Sequence, residues 1–114
     1  MRWFLRSKIH NAIVTEANVS YVGSITIDKT LMKKAGFLSG EKVLVCSLDS
    51  GVRLETYVIE GERNSGVICM NGPAAHLIKK GEKVIIMGFE LSQKPIKPRV
   101  VLVDSKNKFI KYLK

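Results

Sequence analysis

Residues 21–28 read Tyr21-Val22-Gly23-Ser24-Ile25-Thr26-Ile27-Asp28, and all but the last belong to a run, 19–27, that is rich in β-branched and aromatic residues. This composition predicts a β-strand over 19–27. A Gly-Ser pair inside a strand is unusual, because glycine weakens a strand and often marks a bend or a close approach of two backbones. The pair therefore predicts either a β-bulge or a self-processing site, at which the serine hydroxyl attacks the unshielded glycine carbonyl.

The rest of the chain alternates short strand-like segments with turns. We predict strands at 9–15, 42–48, 52–60, 66–70, 84–91, 100–103 and 109–112, with a hairpin turn at 49–51. A helix is expected to start at Asp28 and to end at Gly36, and 74–78 is expected to form one helical turn. Many strands at short spacing with little helix indicate a mainly β fold, a small closed β-barrel with short helices.

Length and composition indicate one domain over residues 1–114. The chain has 114 residues, of which 46% are hydrophobic and 25% are charged, as in ordinary globular proteins. Its apolar stretches are too short to span a membrane, and no secretory signal is recognised, so a cytoplasmic location without membrane contact is expected. Cys46 and Cys69 stand apart in apolar segments and are predicted to be buried thiols; no ligand spacing suggests a metal site.

The positive charge is concentrated at the C-terminal end. Residues 94–114 contain seven basic residues and one acidic residue, so this segment carries +6 of the net charge of +9. A solvated basic tail is the favoured interpretation. The alternative is a small basic β-barrel that binds nucleic acid, for which Phe109, Lys111 and Tyr112 are the only hint.

The chain also resembles the aspartate 1-decarboxylase family, pyruvoyl-dependent enzymes that make β-alanine for pantothenate synthesis. The resemblance rests on blocks that keep their order and spacing across about residues 5–90. These blocks are Lys8-Ile9-His10, Val14-Thr15-Glu16-Ala17, residues 21–28, Leu31-Met32, Gly40-Glu41-Lys42-Val43, residues 51–63, Ser65-Gly66-Val67-Ile68-Cys69-Met70-Asn71-Gly72 and residues 83–89. The segment after Leu91 carries no family motif.

The resemblance implies a six-stranded double-psi β-barrel assembled as a homotetramer, with active sites between subunits. It implies self-cleavage between Gly23 and Ser24, which gives a β chain of residues 1–23 and an α chain of residues 24–114. Ser24 would become a covalent pyruvoyl group that forms a Schiff base with L-aspartate and accepts the electrons left by the departing carbon dioxide. Neither pyridoxal phosphate nor a metal is implied, and the sequence does not indicate whether a helper protein assists maturation.

The resemblance also assigns roles to individual residues. Tyr57 matches the proton donor of the family, and Thr56 matches a residue that assists self-cleavage near the Gly23 carbonyl. Arg53 and Lys8 match the residues that meet the two substrate carboxylates, and which of them takes the α-carboxylate is left open. Because Arg53 and Tyr57 are four residues apart, a regular strand places them on one face and Thr56 on the other.

The remaining matches are supporting or backbone positions. His10 and Tyr21 match residues that line the family's site. Asn71 and Gly72 open a loop whose backbone amides are expected to hold the substrate, together with positions 73 and 74. This chain has Pro73 before Ala74 where alanines are typical, and proline lacks the backbone donor, so any amide contact there must come from Gly72 or Ala74. A family member that never matures and serves only as a structural oligomer is a further alternative.

Overall fold

The computed structural model describes residues 1–114 as nine strands and two short helices. In chain order these are β1 (Arg2–Ile13), β2 (Glu16–Asn18), β3 (Ser24–Asp28), α1 (Lys29–Ala35), β4 (Lys42–Ser47), β5 (Arg53–Gly61), β6 (Ile68–Asn71), α2 (Ala74–Leu77), β7 (Lys83–Ser92), β8 (Arg99–Val103) and β9 (Phe109–Leu113). The predicted mainly β fold is confirmed. No helix is long and apolar enough to cross a membrane.

The strands form one hydrogen-bonded order, β2-β6-β3-β5-β4-β7-β1-β8-β9. Strand β2, at one end of this order, follows β1 after only Val14 and Thr15. Within that short link, the Val14 amide donates to Glu82 O and the Thr15 amide donates to Ile68 O. The segment that links β1 to β2 therefore hydrogen-bonds both to β6 and to the residue that precedes β7. The sheet curls around the core as a result. With β1 and β2 counted as one run and β8 and β9 set apart, six strands surround the core, as predicted.

The core consists of apolar side chains on the inner face of these strands and on one side of α1. Twenty-one buried residues form a single cluster, in which Ile9, Ile25, Ile27, Val45, Val58, Ile68, Met70, Ile78, Val84 and Ile86 have no exposed surface. Both cysteines are buried and free, as predicted. The core anchors β3, whose first residue is Ser24 of the Gly-Ser pair.

Helix α1 starts and ends where the sequence predicts. The buried Asp28 carboxylate accepts hydrogen bonds from the amides of Thr30 at 2.8 Å, Asn64 at 2.9 Å and Gly66 at 2.9 Å, so it caps the helix and holds the β5–β6 turn. Gly36 ends the helix with φ 79°, a left-handed conformation that glycine adopts without steric cost. The cap fixes the C-terminal end of β3.

The prediction of a continuous strand over 19–27 is wrong. β2 pairs with one edge of β6 in parallel, and β3 pairs with the other edge in antiparallel orientation. The chain must therefore cross over the end of β6 between Asn18 and Ser24, and residues 19–23 form that crossing loop. Gly23 is the last residue of the loop and Ser24 the first of β3, so the Gly-Ser pair lies at a strand start and not at a bulge inside a strand.

The basic C-terminal segment is folded, which corrects the expectation of a solvated tail. β8 pairs in parallel with β1, and β9 pairs with β8, which confirms the predicted final hairpin. Val101 and Val103 of β8 are buried in the core. The buried Asn107 side chain bonds both the amide and the carbonyl of Ile13, at 2.7 and 2.8 Å. The C-terminal segment therefore extends the sheet beyond β1 by two strands.

Candidate active site

At the Gly23–Ser24 junction, the serine is buried and its hydroxyl is hydrogen-bonded. Ser24 has no exposed surface. Its hydroxyl donates to Val22 O at 3.0 Å, and the Asn71 side-chain amide donates to Ser24 Oγ at 3.0 Å. Ser24 and Asn71 are direct partners across the β3–β6 ladder, so strand register positions this contact. The Ser24 oxygen thus carries an N–H donor where negative charge on it would be stabilised.

Gly72 and Pro73, in the loop after β6, pack closely against Gly23. Gly72 has φ 65°, and a β-carbon added to it would lie 2.7 Å from Gly23 Cα and 2.9 Å from Gly23 N. The Pro73 ring also lies close to Gly23, with its Cδ 3.3 Å from the position that a Gly23 β-carbon would take. Only glycine fits at position 72 in this arrangement. The predicted loop therefore lies directly on the Gly23 backbone.

A cavity of about 330 Å³ opens beside the junction. It is lined by Gly23, Leu54, Glu55, Thr56, Tyr57, Asn71, Pro73, Ala74 and Leu77. Thr56 and Tyr57 both belong to this lining, although they alternate in direction along β5. The two candidates that strand periodicity places on opposite faces thus meet one cavity within a single chain.

Six predicted site residues are not part of this lining: Lys8, His10, Tyr21, Ser24, Arg53 and Gly72. Ser24 and Gly72 adjoin the cavity through their chain neighbours Gly23, Asn71 and Pro73. Lys8 pairs with Met87 of β7, which pairs with Leu44 of β4, which pairs with Glu55 of β5, so Lys8 lies three strand spacings from the cavity wall. Arg53 is exposed at the first residue of β5. The cavity of one chain therefore brings together the cleavage site and Tyr57, but not the cationic residues expected to bind carboxylates.

His10 and Tyr21 are placed outside the junction as well. His10 lies on β1 opposite Leu102 of β8, and its buried Nδ1 has no hydrogen-bond partner. Burial, with a smaller contribution from Lys8, lowers the pKa of His10 below its usual value. The Tyr21 side chain is exposed, while its carbonyl oxygen faces Gly72.

The structure adds Thr26 and Cys69 to the site, neither of which the sequence analysis assigned to it. Asn71 Nδ2 donates to Thr26 Oγ1 at 2.9 Å in addition to Ser24, and the Cys69 thiol contacts Asn71 Oδ1 at 3.1 Å. The spacing of two residues between Ser24 and Thr26, and between Cys69 and Asn71, places each pair on one strand face. That periodicity is the signal that would have found them.

The comparisons with known proteins agree with one family. The family model described as "Aspartate decarboxylase" matches residues 1–110. An aspartate 1-decarboxylase of Caldicellulosiruptor saccharolyticus is 56% identical over 111 residues, which cover 94% of this chain and 87% of the relative. An aspartate 1-decarboxylase of Clostridium botulinum is 56% identical over 107 residues, which cover 90% of this chain and 84% of the relative.

The fold also matches a solved structure. The crystal structure of the rationally designed mkDPBB_sym_86 protein, a double-psi β-barrel, superposes with a TM-score of 0.50 at 22% identity. The match covers 74% of this chain and 91% of the designed one. This likeness concerns the fold alone and confirms the double-psi barrel.

Proposed function

The chain belongs to the aspartate decarboxylase family, and we propose that it decarboxylates L-aspartate to β-alanine for pantothenate biosynthesis with a pyruvoyl group made from its own Ser24. The observation that carries the pyruvoyl proposal is the Ser24 hydroxyl. It is buried next to the Gly23 backbone, it accepts an N–H from Asn71, and it adjoins a cavity lined by Tyr57. The comparisons do not favour the alternative of a nucleic-acid-binding barrel.

The junction fits the formation of this group. In the first step Ser24 Oγ bonds to the Gly23 carbonyl carbon, the Gly23–Ser24 C–N bond breaks, and the hydroxyl proton passes to the Ser24 nitrogen. Loss of the Ser24 α-proton with cleavage of its Cβ–Oγ bond then leaves a Gly23 carboxylate and a dehydroalanine. One water converts the dehydroalanine to the pyruvoyl group and releases ammonia. The products are residues 1–23 and 24–114.

Three features of the structure support these steps. Gly72 and Pro73 confine Gly23 next to the serine, which is the positional requirement of an intramolecular attack. Asn71 donates to the oxygen that departs with the Gly23 carboxylate. Thr56 lines the same cavity as Gly23, where its hydroxyl is suited to bond the Gly23 carbonyl during attack.

In the decarboxylation the pyruvoyl carbonyl supplies the electron sink. Tyr57 is proposed to donate a proton to the α-carbon once carbon dioxide has left, because its side chain lines the cavity beside the junction. The small apolar residues Pro73 and Ala74 line the same cavity. Tyr57 and the junction can therefore act on one small substrate.

The carboxylates of aspartate need cations that one chain does not bring to this cavity. We propose that Lys8 and Arg53 meet the substrate across a contact between subunits of a homotetramer, with His10 and Tyr21 in supporting positions. Lys8 and Arg53 are on the outside of the barrel and form no ion pair within the chain. The proposed setting is the cytoplasm, as expected for an enzyme of central biosynthesis.

Intact mass and product formation test the proposed function together. The purified chain is expected to convert from one 12.7 kDa species to two fragments, the larger of which lacks a free amino group at its start. β-Alanine formation from L-aspartate should rise in step with the cleaved fraction. A folded chain that stays intact and inactive would support the alternative of a family member that never matures.

The substrate-binding role of Arg53 predicts a loss of catalytic efficiency. Removing a charge partner from a desolvated pair costs about 2–5 kcal/mol, so Arg53→Ala should lower kcat/KM for L-aspartate by at least about 30-fold. Arg53→Lys keeps the charge without the planar fork and separates the two contributions. The matched control is Arg63→Ala, which removes an exposed arginine of the β5–β6 turn. A fully cleaved Arg53→Ala enzyme with unchanged kcat/KM would remove Arg53 from the site.

A further inference from the structure

Four polar side chains share one face of the β3–β6 pair. Ser24 is opposite Asn71 in the ladder, and Thr26 is opposite Cys69. Asn71 connects them, because its Nδ2 donates to Ser24 Oγ at 3.0 Å and to Thr26 Oγ1 at 2.9 Å, while its Oδ1 is 3.1 Å from Cys69 Sγ. All of the hydrogen-bonding capacity of the Nδ2 group is used, and the amide oxygen faces the thiol.

The two hydroxyls alone do not determine which end of the amide faces Ser24. The Ser24 hydroxyl donates to Val22 O and accepts from Asn71, but a hydroxyl proton can rotate, so Ser24 and Thr26 could each donate to the Asn71 oxygen if the amide were turned. A thiol proton directed at Oδ1 favours the orientation in which the nitrogen faces the hydroxyls. The contact to Asn71 is the shortest that Cys69 Sγ makes, since Glu16 Oε2 is 3.6 Å and Met70 O is 3.8 Å away.

The thiol is retained as a donor at neutral pH. Burial of Cys69, followed by the negative charge of the nearby Glu16 carboxylate and the longer hydrogen bond to it, raises the pKa of the thiol to about 11. Cys69 has 5% of its surface exposed. Cys69 therefore keeps its proton and supplies an S–H group to the network.

We propose that Cys69 is a positioning residue for self-cleavage: its thiol donates to Asn71 Oδ1 and thereby holds the Asn71 N–H donor on Ser24 Oγ. The inference rests on the proposed function, because it concerns the same serine. The oxygen that Asn71 contacts is the one that breaks from Ser24 Cβ and departs in the Gly23 carboxylate. An amide turned the other way would place its own oxygen against that developing charge.

The experiment follows the cleaved fraction by intact mass over time after cell-free synthesis of each variant. Cys69→Ala should slow maturation by about 10-fold, the rate effect of one neutral hydrogen bond lost from a transition state. Cys69→Ser, which has nearly the volume of alanine and keeps a donor, should mature at close to the wild-type rate. Cys46→Ala is the matched control, since Cys46 is the other buried thiol, lies on β4 and forms no hydrogen bond to the junction.

Thermal unfolding of each variant shows whether it is folded. If Cys69→Ala does not fold, Cys69→Val fills the space without a donor and gives the same comparison with Cys69→Ser. A folded Cys69→Ala chain that matures at the wild-type rate overturns the inference, and so does a Cys69→Ser chain as slow as Cys69→Ala. A wild-type chain that never cleaves contradicts the proposed function instead, so the two failures are distinguishable.

Discussion

Replacing Ser24 by alanine is expected to leave one uncleaved 12.7 kDa chain with no decarboxylase activity. Alanine lacks the oxygen that attacks Gly23, and without that attack neither the chain break nor the pyruvoyl group can form. The expected effect on activity is complete, larger than the effect of any substitution that only weakens binding. Intact mass and β-alanine formation measure the two consequences on the same sample.

The control for this substitution is Ser20→Ala, an exposed serine in the crossing loop just before the junction. It should cleave and turn over normally. Ser24→Ala should remain folded, because Asn71 Nδ2 keeps its bond to Thr26 when the Ser24 oxygen is lost. A cleaved and active Ser24→Ala chain would contradict both the cleavage position and the origin of the pyruvoyl group.

Tyr57→Phe is expected to lower turnover by roughly 10²–10⁴-fold while maturation proceeds normally. The hydroxyl of Tyr57 bonds no other group of the chain, so its removal orphans no buried partner, and phenylalanine keeps nearly the same volume. The loss should therefore fall on kcat of the fully cleaved enzyme and not on stability. Single-turnover rates measured after cleavage is complete separate this step from maturation.

Tyr112→Phe is a suitable comparison, because that phenol donates to Lys34 O at 2.8 Å in the C-terminal segment, away from the junction. It should leave turnover unchanged. A Tyr57→Phe enzyme with near-normal turnover would reassign the proton to water or to another group of the assembled site.

Local chemistry was predicted well where it depends on neighbouring residues alone. The Asp28 cap and the Gly36 stop of α1, and the 49–51 turn between β4 and β5, follow from side-chain and backbone preferences within a few residues. The strand over 19–27 was wrong for a physical reason. Its β-branched residues favour extended backbone, but a strand also needs a partner, and both edges of β6 are already taken by β2 and β3.

The site was predictable in part. The structure brings the Gly23–Ser24 pair close to Asn71 and to the loop that follows it, as predicted from the sequence. Pro73, which lacks a backbone N–H donor, packs beside Gly23 in that loop. Strand alternation directs Thr56 and Tyr57 to opposite faces of β5, and it does not reveal that both residues border the cavity beside the junction. The separation of Lys8 from that cavity depends on a strand order that no local pattern encodes.

The position of β1 between β7 and β8 determines how the N-terminal segment would be retained after the proposed cleavage at Gly23. In the uncleaved chain, residues 1–23 are covalently linked to the rest of the barrel. The proposed cleavage would make residues 1–23 a separate peptide, and the equilibrium between bound and released peptide would then depend on concentration. β1 is hydrogen-bonded along both edges, to β7 and to β8, and the Asn107 side chain bonds Ile13, the last residue of β1. The β8–β9 hairpin thus holds β1 in place by hydrogen bonds. Release of residues 1–23 would require β1 to separate from both β7 and β8.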